Sequence, residues 1–259
     1  MVRLIDAAWM EQRLDTPEVL VLDPRSRMRH LQGHLKGAIN LPATRFFNAE
    51  GRLLPSAELG EIFGSGGLTD TKIPIIYDSY DGQKGALVAW VLEHLGRSDV
   101  CLMDTFYEGW AAQGRELFYR PVVPTRQEFK TNEAPNIRAK LRDVQNLGKA
   151  KLLDVRSVEE FKGQSETHVR PGHIPGSINI PWLQFLGVDH HYLDSVDGIK
   201  QRLSTAGISE GDSVITCCRV GMRAAVGYLA LQQLGYNVRL YDGSYAEWEG
   251  SGLPVKSCD

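Results

Sequence analysis

Several dissimilar segments of this 259-residue chain occur twice, in one order and at nearly one spacing. Leu20-Val21-Leu22-Asp23-Pro24-Arg25-Ser26 is answered by Lys151-Leu152-Leu153-Asp154-Val155-Arg156-Ser157, an offset of 131 residues. Residues 33–42 are answered by 172–181, His94-Leu95-Gly96 by Gln233-Leu234-Gly235, and 104–110 by 242–248, at offsets of 138 or 139. A short insertion around 163–168 accounts for the difference. Repetition on this scale constrains the architecture before any local propensity is weighed. The chain is expected to fold as two homologous domains, 1–117 and 139–259. The linker between them, 118–138, carries Pro121, Pro124 and Pro135 and no sustained period.

Within each copy, short apolar runs alternate with helical patterns. Residues 19–22, 74–77 and 100–103 read as buried parallel strands, with 150–153, 213–217 and 238–241 as counterparts. Residues 224–234 read as a helix stopped by Gly235. Strand, crossover helix, strand implies an α/β fold in which each domain is a parallel β-sheet with helices on both faces. A ligand site is then expected beyond the carboxyl ends of the strands.

Composition narrows the function classes. With 42% hydrophobic and 24% charged residues the chain is an ordinary globular one. Its 29 basic against 32 acidic residues argue against a broad nucleic-acid surface. No run approaches the roughly 20 apolar residues of a membrane span, and no apolar signal segment is visible at the N-terminus. Four cysteines are too few and too unevenly spaced for a disulfide framework. The expected setting is a reducing cytoplasm, with no nucleic-acid and no membrane partner.

One junction carries chemistry. In Val214-Ile215-Thr216-Cys217-Cys218-Arg219-Val220-Gly221-Met222-Arg223-Ala224 a strand ends in cysteine, a short loop follows and a helix begins. Amides at a helix start lack intrahelical partners and carry positive partial charge. Wrapped around sulfur they stabilise a thiolate and any anion brought to it. Arg219 and Arg223 add charge, and Gly221 allows the loop to curl.

Cys218-Arg219-Val220-Gly221-Met222-Arg223 resembles the six-residue active-site loop of rhodanese-type sulfurtransferases. Gly172-His173-Ile174-Pro175-Gly176-Ser177 resembles the upstream signature of that family. Residues 238–248 resemble its C-terminal one, with Tyr245 where Trp is usual. The resemblance spans both halves of the chain, so two tandem rhodanese-like domains are expected. It implies a Cys218 thiolate that takes sulfur from thiosulfate or 3-mercaptopyruvate and releases sulfite or pyruvate. The resulting persulfide then passes its sulfur to cyanide, a small thiol or a protein acceptor, in ping-pong order. Arg219, Val220, Gly221, Met222 and Arg223 are the expected substrate-binding residues, and no metal or cofactor is required. The two loop cations favour the thiosulfate dianion as donor.

The first copy departs where it matters. Asp78 stands opposite Cys218, and the loop after it (79–84) has no Arg and reads about two residues longer. A carboxylate cannot carry a persulfide, so the first domain is expected to be silent.

The remaining candidates are weighed against structural roles. Arg170 precedes Gly172-His173 and reads equally as substrate contact or solvated surface. His34 and His173, like Asp23 and Asp154, recur in both copies and are expected to brace the fold. Trp182 reads equally as pocket mouth or packing. Cys101 and Cys217 are expected in the core, and Cys258 in a frayed tail. Two rivals stay open: a phosphatase built on the Cys217-x5-Arg223 spacing, and a non-enzymatic persulfide carrier.

Overall fold

The computed structural model describes every residue except Asp15, 166–168, Cys258 and Asp259, and describes Pro135 by its backbone alone. The tail cysteine Cys258 and part of the 163–168 insertion therefore lie outside the described residues. The chain divides into two compact units, Met1–Ala134 with Gly187–Leu193, and Pro135–Leu186 with Asp194–Asp259.

The first unit holds β1 (Arg3–Ile5), β2 (Val19–Asp23), β3 (Ile39–Asn40), β4 (Ile73–Ile76) and β5 (Cys101–Met103), in the order β1-β5-β4-β2-β3. The second holds β6 (Arg138–Ala139), β7 (Lys151–Asp154), β8 (Ser177–Asn179), β9 (Ser213–Cys217) and β10 (Asn237–Tyr241), in the order β6-β10-β9-β7-β8. Every pairing is parallel. The two orders superpose strand for strand, so the sequence repeat is a repeat of topology.

All five residues of β2 are buried, and β9 is buried from its second residue on. Strands covered on both faces need such continuous apolar runs. The helices that return the chain, Gln83–His94 and Ala224–Gln233, are buried over most of their length. In the first unit Ile5, Val21, Ile75, Tyr77 and Met103 pack with Trp110. In the second, Leu152, Ile215, Cys217 and Tyr241 pack with Trp248. In each sheet the chain runs outward in opposite directions from the pair β2/β4 or β7/β9, a topological switch point. Ligands of open parallel sheets bind there, past the strand ends. Among the described residues no helix is long and apolar enough to cross a membrane.

Two segments depart from the expected domain plan. Much of the expected linker is zipped onto the first unit. Phe118 and His34 exchange backbone bonds of 2.8 and 2.9 Å, Gln127 N donates to Gly64 O at 2.9 Å, and Ala134 N to His94 O at 2.8 Å. Gly64 permits that approach, since a Cβ there would lie 2.5 Å from the Gln127 carbonyl oxygen. The stretch Gly187–Leu193, expected in the second domain, belongs to the first unit. There Tyr192 N donates to Asp104 O at 2.8 Å, Phe106 N donates to His190 O at 2.9 Å, and the Tyr192 phenol is fully buried.

A buried ion pair closes each sheet at its switch point. Arg156 and Asp154, both fully buried, meet at 2.6 Å, and Arg25 meets Asp23 at 2.7 Å. Removing one partner from such a pair strands a charge and costs about 3–5 kcal/mol, whereas an exposed pair such as Arg126–Glu61 is worth less than about 1 kcal/mol. Arg156→Met should therefore lower the urea-unfolding free energy by several kcal/mol, while Arg126→Met should leave it nearly unchanged. Equal effects from the two would refute this ranking.

Candidate active site

The chain leaves the core of the second sheet at Cys217, the last residue of β9, which pairs with Asp154. Cys217 is fully buried in the core, and burial pushes its thiol well above the ordinary range. Cys218, one residue on, opens the loop 218–223. Its Sγ accepts the Gly221 amide at 3.2 Å, just before the helix Ala224–Gln233 begins. Gly221 has φ +90°, and a Cβ there would sit 3.0 Å from Asp242 Cα, so both conformation and space require glycine. The loop is held from behind: Tyr245 N donates to Cys218 O and Ala246 N to Arg219 O, each at 3.0 Å. The Cys218 amide donates to Ser244 Oγ at 3.0 Å. The result is a sulfur at a helix start with an amide aimed at it, where an anion brought to the sulfur meets positive partial charge.

The other expected contacts are arranged differently. Arg219, Val220 and Met222 are half-buried along the loop. Arg223 forms a two-pronged ion pair with Glu160, at 2.5 and 2.9 Å, and its guanidinium lies 5.2 Å from the Trp182 ring centre. Burial works against the Glu160 charge, but Arg223 outweighs it and holds the carboxyl at about 2. Arg170 is drawn to Glu249, donating from its amide at 3.3 Å and its side chain at 3.4 Å, while its carbonyl accepts the Tyr245 phenol at 2.5 Å. His173 Nδ1 lies 2.8 Å from Phe161 O, and His34 Nδ1 lies 2.8 Å from His30 O, so both brace backbone.

Three residues at the site carried no sequence expectation. Glu160 has a local signal: Ser157 and Glu160 form a capping box at the start of the helix Val158–Lys162. Arg156 has another, since Asp-x-Arg recurs in both copies. Ser244 had none, because its role depends on a turn conformation. The phosphatase spacing fails in three dimensions. Cys217 ends a strand inside the core, and Arg223 is committed to Glu160, so the two frame no cradle. Among the described residues no group of three His, Cys, Asp or Glu could hold a metal ion.

At the matching place in the first unit Asp78 is fully buried. Its carboxylate accepts Ser79 N at 2.8 Å and Gly85 N at 2.7 Å, at the start of the helix Gln83–His94. An internal carboxyl group thus fills the place that the thiol holds in the other copy. The first helical bonds run from Ala86 N to Gly82 O here and from Ala225 N to Gly221 O in the other copy, so the loop after Asp78 is longer by one residue rather than two. Gln83 and Lys84, expected in the loop, belong to the helix. The Tyr192 phenol donates to Gly82 O and would lie 2.9 Å from a Cβ on Gly85, closing this end of the sheet.

Comparison with known proteins agrees with the repeat. The family model for the Rhodanese-like domain matches twice, at residues 6–113 and 138–251. A Synechococcus elongatus protein named "Putative thiosulfate sulfurtransferase" is 30% identical over 99% of this chain and 85% of its own. The sulfur carrier protein TtuD of Thermus thermophilus is 27% identical over 97% and 95% of the two chains. Among solved structures, the 3-mercaptopyruvate sulfotransferase SseA of Escherichia coli superposes with a TM-score of 0.85 at 25% identity, over 95% of this chain and 99% of its own. The anaerobic ergothioneine biosynthesis enzyme of Chlorobium limicola shares the fold, with a TM-score of 0.91 at 19% identity over 99% of this chain and 70% of its own.

The buried Asp78 gives this fold a pH signature. Burial, aided by the Asp81 charge and opposed by Lys84 and the two amides, pushes its carboxyl up to about 7. In the unfolded chain an aspartate titrates near 3.9. Between those values the native state holds a proton that the unfolded state has released, so stability falls as pH rises from about 4 to about 7. Asp78→Asn removes this titration. Urea midpoints measured from pH 4.5 to 8 should move in favour of the variant as pH rises, whatever its constant offset from lost amide bonds. A pH-independent difference would contradict the buried, protonatable Asp78.

Proposed function

Because the chain belongs to the rhodanese-like domain family and is a sulfurtransferase, we propose that Cys218 is its sulfur-carrying nucleophile and thiosulfate its preferred donor. The observation that carries the choice of atom is the Gly221 amide 3.2 Å from Cys218 Sγ, at a helix start beyond the switch point. In the first half-reaction the Cys218 thiolate attacks the outer sulfur of thiosulfate. The S–S bond to the sulfonate sulfur breaks, its electron pair leaves with sulfite, and a Cys218 persulfide anion remains. In the second, cyanide or a thiolate attacks the terminal sulfur, and the pair in the persulfide bond returns to Cys218. Both half-reactions place negative charge on sulfur beside the loop, which preorganised amides stabilise without rearranging. The first unit, with Asp78 at the matching place, takes no sulfur in this reading.

A carrier role, in which the persulfide is handed to a protein acceptor, uses the same Cys218 chemistry. The sulfur carrier TtuD among the relatives favours keeping it as the second reading. Steady-state thiocyanate formation separates the two, since a carrier charges once but turns over poorly with cyanide.

Intact mass after incubation with thiosulfate tests the nucleophile. Wild type should gain one sulfur and Cys218→Ser none. Cys217→Ser should still gain it while unfolding more easily, because Cys217 serves packing. A sulfur adduct on Cys218→Ser would overturn the assignment.

Donor preference follows from charge. Thiosulfate is a compact dianion, whereas mercaptopyruvate is a monoanionic keto acid, so the loop cations act more strongly on the former. Glu160 offsets Arg223 in this field. Glu160→Gln should accordingly lower the KM for thiosulfate several-fold and that for mercaptopyruvate less. A wild-type kcat/KM tenfold higher for mercaptopyruvate would reverse the donor assignment.

A further inference from the structure

Ser244 adopts φ +52°, a left-handed conformation disfavoured for any residue with a side chain. Its neighbour Gly243 keeps an ordinary right-handed φ of −60°. Glycine thus stands one position away from where backbone strain alone would place it. Strained conformations persist where surrounding structure requires them, often at functional sites. Here the requirement is visible in the side chain. Ser244 is fully buried, its Oγ accepts the Cys218 amide at 3.0 Å and it donates to Tyr241 O at 2.7 Å. Glycine would relieve the backbone and forfeit both bonds.

The first unit serves as an internal control. The residue answering Ser244 is Phe106, which is extended at φ −62° and whose amide donates to His190 O at 2.9 Å. The bond from the next amide is common to both copies, Tyr107 N to Asp78 O at 2.8 Å and Tyr245 N to Cys218 O at 3.0 Å. That bond belongs to the fold. Of the two corresponding turns, the one beside the cysteine has the left-handed residue and its hydroxyl bond. The same turn also backs the far end of the loop, where Asp242 leaves no room for a Cβ on Gly221. Asp242 is itself anchored to Arg138 at 2.7 Å.

We propose that Ser244 is a positioning residue for the reaction. Its hydroxyl ties down the amide of Cys218 and so sets the direction of the Cα–Cβ bond, keeping Sγ against the Gly221 amide. The proposal rests on Cys218 being the nucleophile. Without the hydroxyl the Cys218 amide is buried and unsatisfied, the loop start shifts to satisfy it, and the sulfur loses its aimed donor.

Two variants separate positioning from simple stability. Ser244→Ala removes the hydroxyl and keeps the backbone strain; Ser244→Gly removes the hydroxyl and relieves the strain. Three quantities are measured: single-turnover sulfur uptake from thiosulfate, the rate of iodoacetamide alkylation of Cys218 at one fixed pH (read by peptide mass), and thermal unfolding. Both variants should take up sulfur at least tenfold more slowly with KM nearly unchanged, and both should be alkylated at Cys218 several-fold more slowly. The glycine variant should nevertheless unfold at a higher temperature than the alanine variant. If activity instead follows stability, so that Ser244→Gly matches wild type in uptake and alkylation, the positioning role is wrong. Should Ser244→Ala fail to fold, the glycine variant alone decides. Alkylation needs no sulfur donor. If the wild type takes sulfur from no donor while both variants are still alkylated several-fold more slowly than it, the sulfurtransferase reading is sunk and Ser244 still positions the Cys218 sulfur.

Discussion

Each unit is organised around one buried guanidinium. Arg156 bonds Asp154 at the end of β7, donates to Gly172 O at 2.9 Å, and lies 3.9 Å from the Tyr245 ring centre. Arg25 does the same with Asp23, with Gly33 O at 2.8 Å, and with Tyr107 at 3.9 Å. These partners come from three of the four repeated segments. The repeat is therefore the footprint of a physical requirement: a buried cation needs a carboxylate, a carbonyl and an aromatic face converging on it. Burial works against the charge on Arg156 and Asp154 overcomes it, so the guanidinium stays firmly protonated. Tyr245, positioned by this cation, is also the residue whose amide holds the Cys218 carbonyl. The structural ion pair and the candidate nucleophile are thus two bonds of one network.

On that shared frame the copies diverge at a strand end. Tyr77 in the first unit extends its phenol to Asp23 at 2.6 Å and so joins the ion-pair network. Cys217 in the second cannot reach so far and remains a core thiol. One position later a buried carboxylate or a thiol meets the start of a helix. Each accepts amides of the loop and helix start that follow it, but only sulfur can accept and release a second sulfur. The first unit has kept the strand-end and helix-start geometry and filled it with its own carboxyl group.

Much of this was legible in the sequence, and the rest was not for identifiable reasons. The central strands, the helix Ala224–Gln233 and the loop at Cys218 follow from apolar runs, a glycine stop and a motif. The edge strands β1, β3, β6 and β8 have two or three residues each, too few for any period to register. Residues 79–84 read as a lengthened loop because no local signal marks Gln83 as a helix start. The docking of Gly187–Leu193 on the first unit depends on contacts far apart in sequence, such as Tyr192 with Gly82, that no local pattern encodes. Arg223 was read as a substrate contact from its place in the motif. Its partner Glu160 lies 63 residues away, and only the fold brings them together.

That pairing fixes the far end of the loop in place. Glu160 is shared between Arg223 and the Ser157 amide, which donates to it at 3.2 Å, so the carboxylate welds the start of one helix to the start of the next. A guanidinium held by two parallel bonds against an indole face is fixed in orientation. Arg223 precedes the helix Ala224–Gln233 directly, so fixing it fixes the amides that open that helix. Its net field is partly cancelled by the carboxylate, but its geometric effect is not. Stabilisation of a sulfur anion then comes chiefly from dipoles already in place, whose ordering cost was met when the chain folded. If Cys218 carries the sulfur as proposed, such a site would ask little of a donor beyond a compact anionic sulfur, and size and charge would weigh more than an elaborate set of side-chain contacts.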